Sequence, residues 1–109
     1  MELSLDIAQS LLDQNKYQET IDACKEILTT ESNSVGALKL IAKSLLATKK
    51  LEDARLYLNK ALNIKPDDYE IIKDLGTSFQ AVGDTNTAKE YYRKAISINS
   101  HYAPALTNL

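Results

Sequence analysis

The chain has 109 residues, 44% hydrophobic and 26% charged, a balance that supports one folded domain and excludes a disordered segment. Its net charge of −2 and pI of about 5.3 leave no basic footprint of the kind that nucleic acid or an anionic membrane surface requires. The single cysteine, Cys24, cannot close an internal disulfide, the longest apolar runs are far short of a membrane span, and Met1-Glu2-Leu3-Ser4-Leu5-Asp6 lacks the basic start and apolar stretch of a secretory signal. A cytoplasmic protein is the expectation.

Apolar residues recur at helical spacing along the whole chain, in blocks separated by short polar turns. The spacing predicts helices over 2–14 and 18–30. The next two, over 35–48 and 52–64, carry Leu38, Ile41, Ala42 and Leu45 on one stripe and Ala54, Leu58, Ala61 and Leu62 on the other. Pro66-Asp67-Asp68 stops the fourth helix and caps a fifth over 69–82, which carries Ile72, Leu75, Gly76 and Phe79. Gly83-Asp84 offers a C-cap followed by an N-cap, and a sixth helix over 85–98 follows with Ala88, Tyr92, Ala95 and Ile96. Pro104 suits the first turn of a seventh helix, over 103–109. No strand pattern occurs.

These elements fall into register in steps of 34. Ala8, Ala42 and Gly76 are so related, as are Thr20, Ala54 and Ala88, then Ile27, Ala61 and Ala95, then Leu28, Leu62 and Ile96. A fixed period of this size marks a solenoid, in which one supersecondary unit stacks on copies of itself. The small residues let the two helices of each unit approach at the short end of the usual ~8–10 Å, while Leu45, Phe79, Leu58 and Tyr92 fill the wider gaps.

On those residues the chain resembles the tetratricopeptide repeat. Ala42, Leu45, Ala54, Tyr57, Ala61 and Pro66 carry the likeness in the second period, and Leu75-Gly76, Phe79, Ala88, Tyr92 and Ala95 in the third. The first period keeps Ala8, Leu11 and Tyr17 but has Thr20 and Ile27 where alanines are usual and Ser32 where proline is. The resemblance implies an all-α fold, a right-handed α-solenoid of antiparallel helical hairpins. Its repeats would be 1–34 (degenerate), 35–68 and 69–102, with 103–109 as a partial fourth repeat or a capping helix. Ser4 stands where Leu38 and Ile72 recur, which fits either an N-terminal cap or simple drift.

Catalytic chemistry has little to work with. His101 is the lone histidine, Cys24 occupies the buried register position of Leu58 and Tyr92, Asp67 and Asp68 read as caps, and the three glycines form no phosphate loop. No enzyme activity, metal or cofactor is expected of these residues. The resemblance instead implies a concave groove lined by the first helix of each hairpin. That places Leu5, Asp6, Gln9, Leu12 and Asp13 in it, then Lys39, Leu40, Lys43 and Leu46, then Glu70, Lys73, Asp74, Thr77 and Gln80. Leu5, Leu12, Leu40 and Leu46 are apolar where a solvated face should be polar, as at interaction surfaces.

Family members that hold acidic chaperone tails use a clamp of lysines, asparagines and an arginine. The corresponding residues here, Leu5, Gln9, Leu40, Glu70 and Asp74, do not match, and the two carboxylates would repel such a tail. The asparagine ladder of arrays attached to glycosyltransferases is met only by Asn108 among Asp6, Leu40, Asp74 and Asn108. The expectation is a protein-interaction module that takes a peptide or helix with apolar anchors and a basic component. Two alternatives stand beside it: the recruiting segment of a larger glycosyl- or sulfotransferase, and a scaffold that self-associates through its C-terminal hairpin.

Overall fold

The computed structural model describes residues 4–99, in which six helices form three antiparallel hairpins. They are α1 (Leu5–Asp13) with α2 (Tyr17–Thr30), α3 (Val35–Ala47) with α4 (Leu51–Ile64), and α5 (Tyr69–Ala81) with α6 (Thr85–Ile98). No helix among them is long and apolar enough to cross a membrane. The expected helix over 103–109, with Pro104, Asn108 and the His101 loop, lies outside the described residues.

Local chemistry sets the boundaries. Ser34 and Asp68 accept backbone N–H bonds at the starts of α3 and α5, and Asp84 does the same for α6. The first helix begins at Leu5 rather than residue 2, because the Ser4 hydroxyl accepts from Ile7 N at 3.3 Å and caps it there. Asn15, Lys49 and Gly83, 34 apart, all have positive φ (61°, 65° and 86°). Around each, the same pair of bonds closes the turn: Asn15 N to Leu12 O with Lys16 N to Leu11 O, then Lys49 to Leu46 with Lys50 to Leu45, then Gly83 to Gln80 with Asp84 to Phe79. This is the Schellman ending, which satisfies the last carbonyls of a helix.

The core is shared between neighbouring hairpins. Ala8, Cys24 and Ile27 pack with Ala37, Ile41 and Leu45 across the first junction, and Leu38, Ala42, Leu58 and Ala61 with Ile71 and Leu75 across the second. Thr20 stands buried in the place of Ala54 and Ala88 because its hydroxyl donates to Lys16 O at 2.8 Å. Within the last hairpin, Gly76 brings α5 against Tyr92. A Cβ there would lie 2.9 Å from the ring.

Between hairpins, α1 touches α3 and α3 touches α5, whereas α2, α4 and α6 stand farther apart from one another. The stack therefore curves, with the first helices on the inside and the second helices on the outside.

Candidate binding groove

The inner curve forms a cavity of about 280 Å³ lined by Leu5, Asp6 and Gln9 of α1, Gly36, Lys39, Leu40 and Lys43 of α3, and Glu70 of α5. Seven of these residues are those the sequence register points to. The eighth, Gly36, shares its register position with Glu70, so the signal that selects Glu70 also marks it. A Cβ on Gly36 would fall 2.7 Å from Leu5 Cδ1, so the glycine lets the Leu5 side chain lie against the α3 backbone.

Other expected residues lie elsewhere. Thr77 and Gln80 edge a separate cavity of about 270 Å³ beside Ala81 and Tyr92. Asp13 is exposed and accepts from Gln9 Nε2 at 3.0 Å. Leu12 and Leu46 are half-buried and pack against the first core cluster rather than presenting apolar surface. Leu40 is only 6% exposed and forms the cavity floor, and Asp74 is 3% exposed. Both were expected as open groove residues. They are covered because successive first helices approach closely on the inside of the curve.

The buried position of Asp74 is tolerated because lysines surround it. Lys73 Nζ lies 2.6 Å from Asp74 Oδ1 and Lys43 Nζ 3.1 Å from Oδ2. Lys43 also reaches Glu70 at 3.2 Å, and Lys39 pairs with Asp68 at 3.0 Å and Glu70 at 3.5 Å. Burial resists charge on Asp68, but the bond and charge of Lys39 and the N–H groups of Ile71 and Glu70 outweigh it and hold the carboxyl below its ordinary 3.8. Burial also resists charge on Glu70, yet Lys43 and Lys39 hold it below its ordinary 4.5. Lys39 is opposed by burial, and its bond to Asp68 with the charges of Glu70 and Asp68 raises it above 10.5. The two groove lysines are thus committed to carboxylates of the next hairpin. Asp6 is exposed, and among the described residues no cation lies within 4.0 Å of it.

Family models of the tetratricopeptide repeat match residues 11–77 and 74–102. A TPR repeat-containing protein of Methanocaldococcus jannaschii is 31% identical over 72 residues, which cover 66% of this chain and 21% of that protein. A probable UDP-N-acetylglucosamine–peptide N-acetylglucosaminyltransferase SPINDLY of Oryza sativa subsp. japonica is 44% identical over 39 residues, 36% of this chain and 4% of its own length. The chain thus spans 21% and 4% of these two relatives. Among solved structures, the first TPR of Spaghetti (RPAP3) bound to the HSP90 peptide SRMEEVD superposes with a TM-score of 0.89. It covers 95% of this chain and 82% of that one at 18% identity, a likeness of fold alone.

Proposed function

Since the chain belongs to the tetratricopeptide repeat family, we propose that its groove receives an extended peptide or a helix of a partner protein, with an apolar anchor and a basic group. The observation that carries this reading is a cavity lined jointly by residues of α1, α3 and α5. Leu5, 37% exposed, offers apolar surface above the Leu40 floor, and Asp6 beside it, with no cation within 4.0 Å among the described residues, suits a lysine or arginine of the ligand. An acidic tail fits poorly. Lys39 and Lys43 already face Asp68, Glu70 and Asp74, so an incoming carboxylate would compete with three resident ones.

The test is fluorescence anisotropy with two labelled peptides of equal leucine content, one carrying lysines and one glutamates. The basic peptide is expected to bind more tightly, and Asp6→Lys or Leu5→Asp to weaken it by about three- to tenfold, the range of one exposed ion pair or one partly buried side chain. Indifference of the basic peptide to both substitutions, or an equal loss of both peptides with Asp6→Lys, overturns the reading. Asp74 is a poor probe because its burial couples it to folding.

A second reading, the recruiting segment of a larger peptide glycosyltransferase, is supported by the 39-residue similarity to the rice protein. The full reading frame around this chain tests it. A frame without a glycosyltransferase domain removes it.

A further inference from the structure

On the outside of the curve, the separation of α2 from α4 leaves a furrow whose floor is α3. Two cavities lie along it, sharing Tyr57. One, of about 300 Å³, opens between Ile21 and Lys25 of α2 and Lys50, Asp53 and Leu56 of α4, above Ile41 and Leu45. The other, of about 470 Å³, lies between Leu28 and Asn33 on one side and Lys60 and Ile64 on the other, above Leu38.

The 34-residue register supplies an internal comparison. At the next junction, Arg55 stands for Ile21, Phe79 for Leu45 and Tyr91 for Tyr57. There the Arg55 guanidinium sits 4.7 Å above the Phe79 ring and donates to Ser78 O at 3.4 Å, while Phe79 stacks on Tyr91 with centroids 5.6 Å apart. Large side chains occupy that place in one junction, and shorter ones leave it open in the other. Leu56 is 54% exposed where the other two hairpins carry Asp22 and Glu90, and Ile64 is 42% exposed two turns along the same helix. An apolar residue has replaced a charge at the rim of the open furrow and at neither of the other positions.

The charge around the furrow is also distinctive. Lys25, Lys50 and Lys60 line it against the single carboxylate of Asp53, in a chain whose net charge is −2. Among the described residues, Lys25 and Lys50 have no carboxylate within 4.0 Å, and Lys60 lies over the Tyr57 ring. Its uncompensated charge is therefore positive, opposite to the Asp6 edge of the inner groove. Its walls are helices of 14 residues, about 20 Å long, room for about six extended residues.

We propose that the furrow between α2 and α4 is a second docking surface, for a peptide segment of a partner protein in which carboxylates flank apolar side chains. The apolar chains enter over Leu28, Tyr57 and Leu56, and the carboxylates meet Lys25, Lys50 and Lys60. The solenoid then holds two segments of opposite charge on opposite faces, and each site stands or falls by its own substitutions.

The test again uses the labelled glutamate-flanked and lysine-flanked leucine peptides, by anisotropy and by amide shift mapping on the full chain. The glutamate peptide is expected to move the amides around Tyr57 and to lose about tenfold or more in affinity with Leu56→Glu, while Asp6→Lys changes it by less than about twofold. The paired Ile21→Arg and Leu45→Phe change copies the filled junction into the open one and is expected to abolish binding. Should that variant fail to fold, the exposed Leu56 substitution still decides. No saturation by the glutamate peptide up to about 1 mM overturns the proposal. So does a lysine peptide that moves the same amides around Tyr57 as strongly, or loss with Asp6→Lys but not with Leu56→Glu. Concentration-dependent dimerisation that Leu56→Glu abolishes makes a second copy the occupant and also overturns it.

Discussion

Replacing Gly76 with alanine tests how closely α5 and α6 are packed. The new Cβ would lie 2.9 and 3.0 Å from Tyr92 Cε1 and Cδ1 and 3.2 Å from Ala88 O. The last is backbone. The ring is also constrained: Tyr92 is 1% exposed, and its hydroxyl donates to Gln80 Oε1 at 2.7 Å and lies 3.3 Å from Thr77 Oγ1. Overpacking of a tight interface costs about 1–3 kcal/mol, while alanine gains about 1 kcal/mol over glycine in a helix interior. The net loss is then up to about 2 kcal/mol, which lowers the melting temperature by several degrees in a domain of this size. The equivalent pair in the second hairpin is Ala42 opposite Leu58, so Tyr92→Leu combined with Gly76→Ala recreates a packing this chain already uses. In the Tyr92→Leu background the alanine is expected to be neutral or stabilising, a coupling of about 1–2 kcal/mol in a double-mutant cycle read by urea unfolding and circular dichroism. Additivity within about 0.5 kcal/mol, or a Gly76→Ala chain more stable than the parent, would refute the reasoning.

Acid is expected to loosen the inner ladder first. The folded values of Asp68 and Glu70 lie below their ordinary 3.8 and 4.5, so the stability they contribute is full above those values and is lost as pH falls through the lowered ones. Lys39, raised above 10.5, contributes below that value and is lost as pH rises through its own. The urea midpoint should therefore hold between these limits and fall at both ends, with a weaker acid limb in Lys39→Met; identical limbs would remove the ladder from the account. Lys49, at φ 65° where Gly83 has φ 86°, should gain about 0.5–1 kcal/mol on Lys49→Gly, and Gly83→Ala should lose about 1 kcal/mol. A destabilised Lys49→Gly chain would count against strain at that turn. Cys24 is fully buried and its thiol is pushed up to about 11 by burial. Its labelling by a thiol reagent should follow the unfolding equilibrium through a urea series, and rapid labelling of the native chain would contradict that placement.

The helices, their caps and the hairpin pairing were legible in the sequence because their causes are local. A cap such as Asp68 or Asp84 acts on N–H groups two or three residues away, and the apolar stripes repeat every turn. The 34-residue count extended this to the groove, because equivalent positions of stacked units must face the same way. It selected Leu5, Asp6, Gln9, Lys39, Leu40, Lys43 and Glu70, which one cavity brings together. It did not reveal the positive φ of Lys49, since a lysine carries no sign of the turn its neighbours impose.

Register determines direction and leaves depth undecided. That Leu40 and Asp74 point inward followed from their place in the period; that they are covered depends on how near α1, α3 and α5 come, a distance set jointly by Gly36, by Leu5 and by the lysines around Asp74. The outer furrow was likewise invisible, because Leu45 reads as an ordinary gap-filling residue until Arg55 and Phe79 are seen stacked in the equivalent place. By itself the sequence determined the repeat, the caps at Asp68 and Asp84 and the register of the seven residues that line the inner cavity, all governed by interactions within a few residues or by strict periodicity. Tertiary structure alone decided which facing residues remain open and which cations remain unpaired, because both depend on contacts between residues about one full repeat apart.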